Sequence, residues 1–262
     1  MDENFFSAGW QAFPSDTRLE NWIAYALPAA RQAVNHPDNG HWLRCGGTWF
    51  AGVNALPNDC RGAVDKGPPL AGLCVDFIEK RLTLGGFEWD RGQVSVCYPG
   101  YPKPMEGESA AAYRYRVNRA AAHVDGLLAE GTRRRRFIRE HHAFIMGIPL
   151  VQVSSGASPF VVWEGSHTIM QAAFQTATHA QAVETWRDID VTDIYQAARK
   201  KVFTACRRLE IVAEPGESYI VHRHALHGMA AWQDTARCGP DGRMIIYFRP
   251  ETLDLPAWLN DP

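Results

Sequence analysis

The chain has 262 residues, 46% hydrophobic and 21% charged, with 27 Lys and Arg against 29 Asp and Glu. That length holds one large core or two small ones, and a formal net charge of −2 excludes general electrostatic attachment to nucleic acid or a membrane surface. No apolar run reaches the roughly 20 residues of a transmembrane helix, and the acidic, aromatic stretch Met1 to Phe13 lacks the features of a signal peptide.

In chain order, the first predicted element is a helix starting at Thr17, with Glu20 completing a capping box. Leu19, Trp22, Ile23, Ala26 and Leu27 share one face, and Pro28 ends or kinks the helix. A strand is expected over Thr48 to Leu56, closed by Pro57-Asn58-Asp59. A second amphipathic helix carries Leu70, Leu73, Cys74, Phe77 and Ile78, and Gly85-Gly86 stops it. No linker follows, so residues 1–90 read as a helical region bracing the main sheet of a single domain, 1–262.

From Gln93 the texture turns to short β-rich runs. Val94 to Tyr98 alternates and ends in a Pro/Gly cluster. Residues 108–122 admit two readings: Ser109 could cap a helix, whereas Tyr113 to Val117 alternates like a strand. Further strands are expected over His142 to Leu150, Pro159 to Trp163, Leu209 to Ala213, Tyr219 to Leu226 and Arg243 to Phe248, with a helical insertion at 168–207. Many short strands between Gly/Pro turns make the fold mainly β with flanking helices, a jelly roll or barrel with its core over 91–250. Cys45, Cys60, Cys74, Cys97, Cys206 and Cys238 form no Cys-x-x-Cys pair, so six free thiols in a reducing cytoplasm are expected.

His123-Val124-Asp125 carries the chemistry. On an extended chain residues i and i+2 share a face, so one imidazole and one carboxylate can converge on a single ion. They are two-thirds of the 2-His-1-carboxylate triad of non-haem Fe(II). The segment Val221 to Gly228 offers three histidines for the third place, His222, His224 and His227, and spacing does not choose among them. A cupin reading of His222-x-His224 would want a Glu shortly afterwards, where Gly228 and Met229 stand.

Four motifs in order give a family resemblance over roughly residues 93–250: His123-Val124-Asp125; Phe160 to His167; Pro215-Gly216-Glu217 through Leu226-His227-Gly228; and Gly242-Arg243-Met244-Ile245. Together they resemble the phytanoyl-CoA dioxygenase family of Fe(II)/2-oxoglutarate-dependent oxygenases. The resemblance implies a double-stranded β-helix (cupin-like), Fe(II) held by His123, Asp125 and His227, and Arg243 binding the 2-oxoglutarate C5 carboxylate. It also implies a dioxygenase that hydroxylates a small-molecule substrate with O2, releasing succinate and CO2. Because Asp125 is present, hydroxylation rather than halogenation is expected.

The sequence departs from the pattern in places. Arg243 follows His227 at more than the usual spacing, with Asp234 to Asp241 reading as an inserted turn; Arg237, at the usual spacing, is the rival. Ile245 replaces a hydroxyl residue, so Tyr98 or Tyr247 is expected to supply that hydrogen bond. Glu164 replaces a proline. Arg133 to Arg136 reads as a solvated loop or strand edge, with an anionic substrate as the competing use. His141 and His142 read as core or rim histidines, only one facing inward; Ser166 and His167 as turn buttresses; Trp163 and Trp232 as possible pocket walls. The rival function is a jelly roll binding metal or ligand without redox chemistry, and oligomeric state is left open.

Overall fold

The computed structural model describes residues 4–82 and 87–261. In chain order its elements are α1 (Asn4–Ala8), β1 (Trp10–Phe13), α2 (Thr17–Asn35), β2 (Leu43–Arg44), β3 (Trp49–Gly52), α3 (Leu73–Arg81), β4 (Gln93–Cys97) and α4 (Ala110–Asn118). There follow β5 (Leu127–Glu130), β6 (Arg135–Ile138), β7 (Phe144–Pro149), β8 (Phe160–Trp163), α5 (Ser166–Thr178), α6 (Thr192–Ala205), β9 (Arg208–Ile211), β10 (Ser218–His222), β11 (His227–Met229), β12 (Arg243–Phe248) and α7 (Leu255–Asn260).

Two sheets face each other. The larger runs β1-β10-β7-β12-β4-β3-β2 and the smaller β11-β8-β9, all antiparallel, while β5 and β6 form a separate hairpin. Alternation sorts each strand onto two covered faces. On the outer face of the large sheet, Met244, Ile246 and Phe248 join Phe144, Met146 and Ile220 in one core with Trp22, Ile23 and Ala26 of α2 and Cys74, Phe77 and Ile78 of α3. On its inner face, Ile145, Tyr219, Val221, Ile245 and Tyr247 meet Phe160, Val162 and Ile211 of the small sheet. A third core lies behind the small sheet, where Val161 and Trp163 pack under Met170, Phe174, Tyr195 and Val202 of α5 and α6. Gly147 permits the inner packing: a Cβ there would fall 2.3 Å from the Tyr219 ring. The architecture is the expected double-sheet jelly roll, mainly β with helices on both outer faces.

Several elements differ from the sequence reading, each for a physical reason. Helix α2 runs through Pro28, which is exposed, so water can take the carbonyl that the missing N–H leaves free. Its N-cap is Asp16, which accepts the Arg18 N–H at 2.8 Å; Glu20 instead accepts the Ser15 hydroxyl at 2.7 Å. The strand expected to reach Leu56 stops at Gly52, because Asn54 turns the chain with φ 56°. The expected Gly85-Gly86 stop lies outside the described residues. Residues 110–118 are helical, with Ser109 accepting the Ala112 N–H at 3.2 Å.

The run expected from Tyr219 to Leu226 divides at a turn, Ala225 N–H to His222 carbonyl at 2.8 Å, which passes the chain from the large sheet to the small one. Residues 168–207 are helical as expected, holding most of α5, a 3-10 turn and α6. The first ninety residues supply more than a brace, since β1, β2 and β3 belong to the large sheet; strands of two to four residues are too short to show a period.

The arginine run fits the expected solvated loop and strand edge: Arg133 and Arg134 lie exposed in the turn after β5, and Arg135 and Arg136 open β6 of the two-stranded hairpin. Arg135 pairs with Asp190 and Asp193, and Arg136 donates to the Leu127 carbonyl at 2.8 Å, so these two are spent on structure. All six cysteines are free. Among the described residues no helix is long and apolar enough to cross a membrane.

Candidate metal centre

The segment from Ala120 to Asp125 lies beside β11. Ala122 and Val124 are buried in the core behind the small sheet, so alternation turns His123 and Asp125 to the opposite face, where the Asp125 carboxylate is largely buried and the His123 side chain is 49% exposed. His123 and His227 are an antiparallel pair that exchanges both backbone hydrogen bonds, at 2.8 and 3.0 Å. Gly228 makes this approach possible, since a Cβ there would sit 2.1 Å from the Ala120 carbonyl oxygen.

The three side chains converge. Asp125 Oδ1 is 3.1 Å from His123 Nε2 and 3.5 Å from His227 Nε2, and one donor atom from each of the three residues lies within 4.8 Å of the other two. Each imidazole Nδ1 faces a backbone carbonyl two residues back, Ala121 at 3.0 Å and Ala225 at 2.9 Å. A neutral ring donating there has its Nε2 lone pair free for an ion, the arrangement that fixes the tautomer of metal-binding histidines. Donors on one face of an octahedral ion, with bonds of about 2.1 Å, stand about 3 Å apart, so two imidazole nitrogens and a carboxylate oxygen at these separations fit a divalent metal.

Arg249, just past the end of β12, was not anticipated. Its Nη1 donates to Asp125 Oδ2 at 3.2 Å, on the oxygen the imidazoles leave free. Burial pushes the Asp125 carboxyl up, yet Arg249, His227 and His123 together hold it well below the usual carboxylate range. Burial also works against charge on His123, and the Asp125 contact outweighs it, raising the imidazole. Arg249 is anchored in turn: Asp90 accepts its backbone N–H at 2.9 Å, and His142 Nδ1 lies 2.9 Å from its carbonyl. Burial lifts the Asp90 carboxyl to about 6.

Arg243 opens β12 on the same inward face, and 4% of it is exposed. Its neighbours are soft or neutral: Met229 Sδ and Tyr247 Oη, each at 3.4 Å, with Tyr219 Oη 3.1 Å from Tyr247 Oη. Burial works against its charge, but the two tyrosines and Cys97 hold the guanidinium above its ordinary value. Among the described residues no carboxylate pairs with it, so a buried fork waits without an anion. The Phe160 ring lies parallel to His227 at 5.4 Å and also faces Tyr219 and Tyr247, forming a wall that links the triad to Arg243.

The rival Arg237 is exposed and donates to the Asp234 and Ala236 carbonyls of its own loop. Of the two candidate tyrosines, Tyr247 lies against Arg243, while Tyr98 packs on the core under the helices. Trp163 is buried in the core behind the small sheet, whereas Trp232 packs beside Met229. Ser166 does buttress the turn, accepting the Leu226 N–H at 2.8 Å, and His167 Nε2 faces the Phe6 carbonyl at 3.0 Å. His222 and His224 are buried away from the triad. His141 and His142 are both buried because each side of the chain is covered: His141 packs on Trp258, and His142 lies between Glu140 and the Arg249 carbonyl. Arg249 had a legible signal: it continues the parity of Arg243, Ile245 and Tyr247.

No family model matches the chain, and no curated protein does. Among solved structures it resembles the non-haem alpha-ketoglutarate-dependent carbocyclase SnoK from nogalamycin biosynthesis, at 14% identity over 96% of this chain and 82% of that one, with a TM-score of 0.50. Others are the epimerase SnoN of the same biosynthesis (14%, 96% and 79%, TM-score 0.48) and EctD from S. alaskensis with 2-oxoglutarate and 5-hydroxyectoine (14%, 96% and 74%, TM-score 0.47). At this identity the likeness to SnoK is one of fold: the chain has the double-stranded β-helix, with helices against both of its sheets.

Proposed function

We propose that the chain is a non-haem Fe(II)- and 2-oxoglutarate-dependent oxygenase that hydroxylates a small-molecule substrate. The observation that carries this is the pairing of a facial two-imidazole, one-carboxylate donor set with a buried arginine that has no acidic partner among the described residues. His123, Asp125 and His227 would hold Fe(II), and Arg243 the distal carboxylate of 2-oxoglutarate, its planar fork suited to bidentate pairing. The motif order of the phytanoyl-CoA dioxygenase family supports the same residues. Bound Fe(II) and keto acid would supply O2 activation, giving succinate, CO2 and an oxygen atom inserted into a substrate C–H bond.

The chain's own groups do the rest. Arg249 keeps Asp125 ionised and turns one oxygen inward, the Ala121 and Ala225 carbonyls present each Nε2, and Tyr247 steadies Arg243. Phe160, Tyr219 and Ile245 keep water from the space between. A metal-binding jelly roll without redox chemistry would have no use for a buried arginine lacking an acidic partner. The test is succinate formation from 2-oxoglutarate with added Fe(II) and ascorbate. Turnover should vanish in Asp125→Ala and in His227→Ala; turnover that persists in either variant overturns the assignment.

A further inference from the structure

The segment that carries His123 is also held from behind, by groups so far without a task. Ala120 and Ala121 both take a left-handed backbone, each with φ 51°. That conformation strains an L residue, and two in succession persist only where the surroundings over-determine them. One constraint comes from the small sheet, where the Met229 N–H donates to the Ala120 carbonyl at 2.9 Å. The other lies on the far side of the segment. Tyr115 of α4 donates its hydroxyl to the Ala122 carbonyl at 2.7 Å. Tyr195 of α6, 3% exposed, sets its hydroxyl against the backbone of Val124.

Between these two rings lies Arg199, one turn further along α6. Its guanidinium carbon is 4.8 Å from the centre of Tyr115 and 5.4 Å from that of Tyr195. No carboxylate among the described residues pairs with it, so the two aromatic faces are its principal partners. Helix α6 is in turn fixed to the hairpin that follows Asp125: the Arg136 N–H donates to Thr192 Oγ1 at 2.6 Å, and Arg135 pairs with Asp193 at 2.8 Å.

We propose that Tyr115, Arg199 and Tyr195 are positioning residues for the metal centre, a clamp by which α4 and α6 fix the backbone on both sides of His123. The proposal rests on the metal reading above. An imidazole must meet its ion to within about 0.5 Å, and its tautomer is set by the Ala121 carbonyl inside the strained turn. With Ala122 and Val124 released, that turn relaxes and carries the ring with it. In this role α6 is a brace for the site rather than a lid over it.

Co(II) titration of the full chain, followed by visible absorption, tests this without turnover. Tyr115→Phe and Arg199→Gln should each raise the Co(II) Kd about 10-fold, while the thermal midpoint of the metal-free protein moves little. Arg199→Lys, which keeps the cation, should recover part of the affinity. Should Arg199→Gln fail to fold, Tyr115→Phe, which removes a single oxygen, carries the test. Wild-type binding with an unchanged Kd in Tyr115→Phe overturns the clamp and leaves the metal site standing. A wild-type chain that binds no Co(II), or a His227→Ala variant that binds as well as wild type, overturns the metal reading and the clamp with it.

Discussion

Arg243 at the head of β12 and Arg249 just past its end share one inward parity yet meet opposite electrostatic situations. Arg249 has its anion in the fold, Asp125 at 3.2 Å. Removing one partner of a buried charged pair leaves the other uncompensated, so Arg249→Gln should displace Asp125 and weaken Co(II) binding about 10- to 100-fold. A Kd unchanged in that variant, from the same titration, would show Arg249 to be ornamental. Among the described residues no anion pairs with Arg243, so its truncation should spare Co(II) affinity and fall on the keto acid. Arg243→Ala should raise the 2-oxoglutarate KM about 100-fold or more, the scale of losing a buried charged contact, and Arg237→Ala should leave it unchanged. The reverse result would mean that the exposed loop arginine, not the buried one, binds the co-substrate. The sequence made Arg243 legible through its place at the head of an apolar strand. Arg249 was legible only in part: its parity with Arg243, Ile245 and Tyr247 points it inward, but nothing nearby in the sequence names the carboxylate it meets.

At the scale of elements, strands with two buried faces were readable and polar ones were not. Strand β12 emerged at its full bounds, because Arg243 to Phe248 is buried throughout and flanked by turn residues. The β5–β6 hairpin stayed hidden because its second limb begins in the arginine run, whose partners, Asp190 and Asp193, lie far along the chain. The division of Tyr219 to Leu226 was equally hidden, since the turn at His222 to Ala225 is as buried as the strands beside it. The consequence of that turn is the paired backbone of His227 and His123, and Gly228 is its most sensitive point. Gly228→Ala puts a methyl 2.1 Å from the Ala120 carbonyl oxygen, which no side-chain rotation relieves. The His123 segment must move, so Co(II) binding should fall at least about 10-fold with the far-ultraviolet spectrum preserved. Wild-type affinity in Gly228→Ala would show that the segment adapts. Pro28→Ala, by contrast, restores a hydrogen bond on an exposed helix face and should raise stability by about 1–2 kcal/mol, read as a higher urea midpoint.

For the whole molecule, periodicity and turn chemistry gave the two-sheet architecture, but not what the folded chain gathers at its C-terminal end. His222 and His224, which spacing alone could not separate from His227, lie in a buried cluster instead, with the ring centres of His167 and His222 4.8 Å apart and those of His224 and Trp258 4.6 Å apart. His141 meets Trp258 at 5.0 Å. Both ring nitrogens of His141 and His224, and one each of His167 and His222, have no hydrogen-bond partner among the described residues. Beside them Arg223 is buried and caps α7, donating to the Trp258 carbonyl at 2.6 Å. Burial is the leading cause that keeps all four imidazoles neutral, His141 down to about 4 and His222 and His224 well below their ordinary value, with Arg223 adding to the effect on all but His141, where Arg187 does so. In the unfolded chain the same histidines take up protons near pH 6.5. Between about 6.5 and 4 the unfolded state therefore binds more protons, so the stability present above pH 6.5 is lost as pH falls. Each group can contribute up to about 1.4 kcal/mol per pH unit, which for four groups is a large share of the roughly 5–15 kcal/mol of a typical domain. Asp90, His123 and His142, raised in the fold, take up protons in the same range and offset part of this loss. Urea midpoints measured from pH 7.5 down to 5 should still fall, and His224→Phe, which fills the same apolar niche beside Phe174 and Trp258, should flatten that slope by about one proton. A slope unchanged in His224→Phe would mean that the buried imidazoles find partners on folding, and the cluster would then be a hydrated network rather than a dry one.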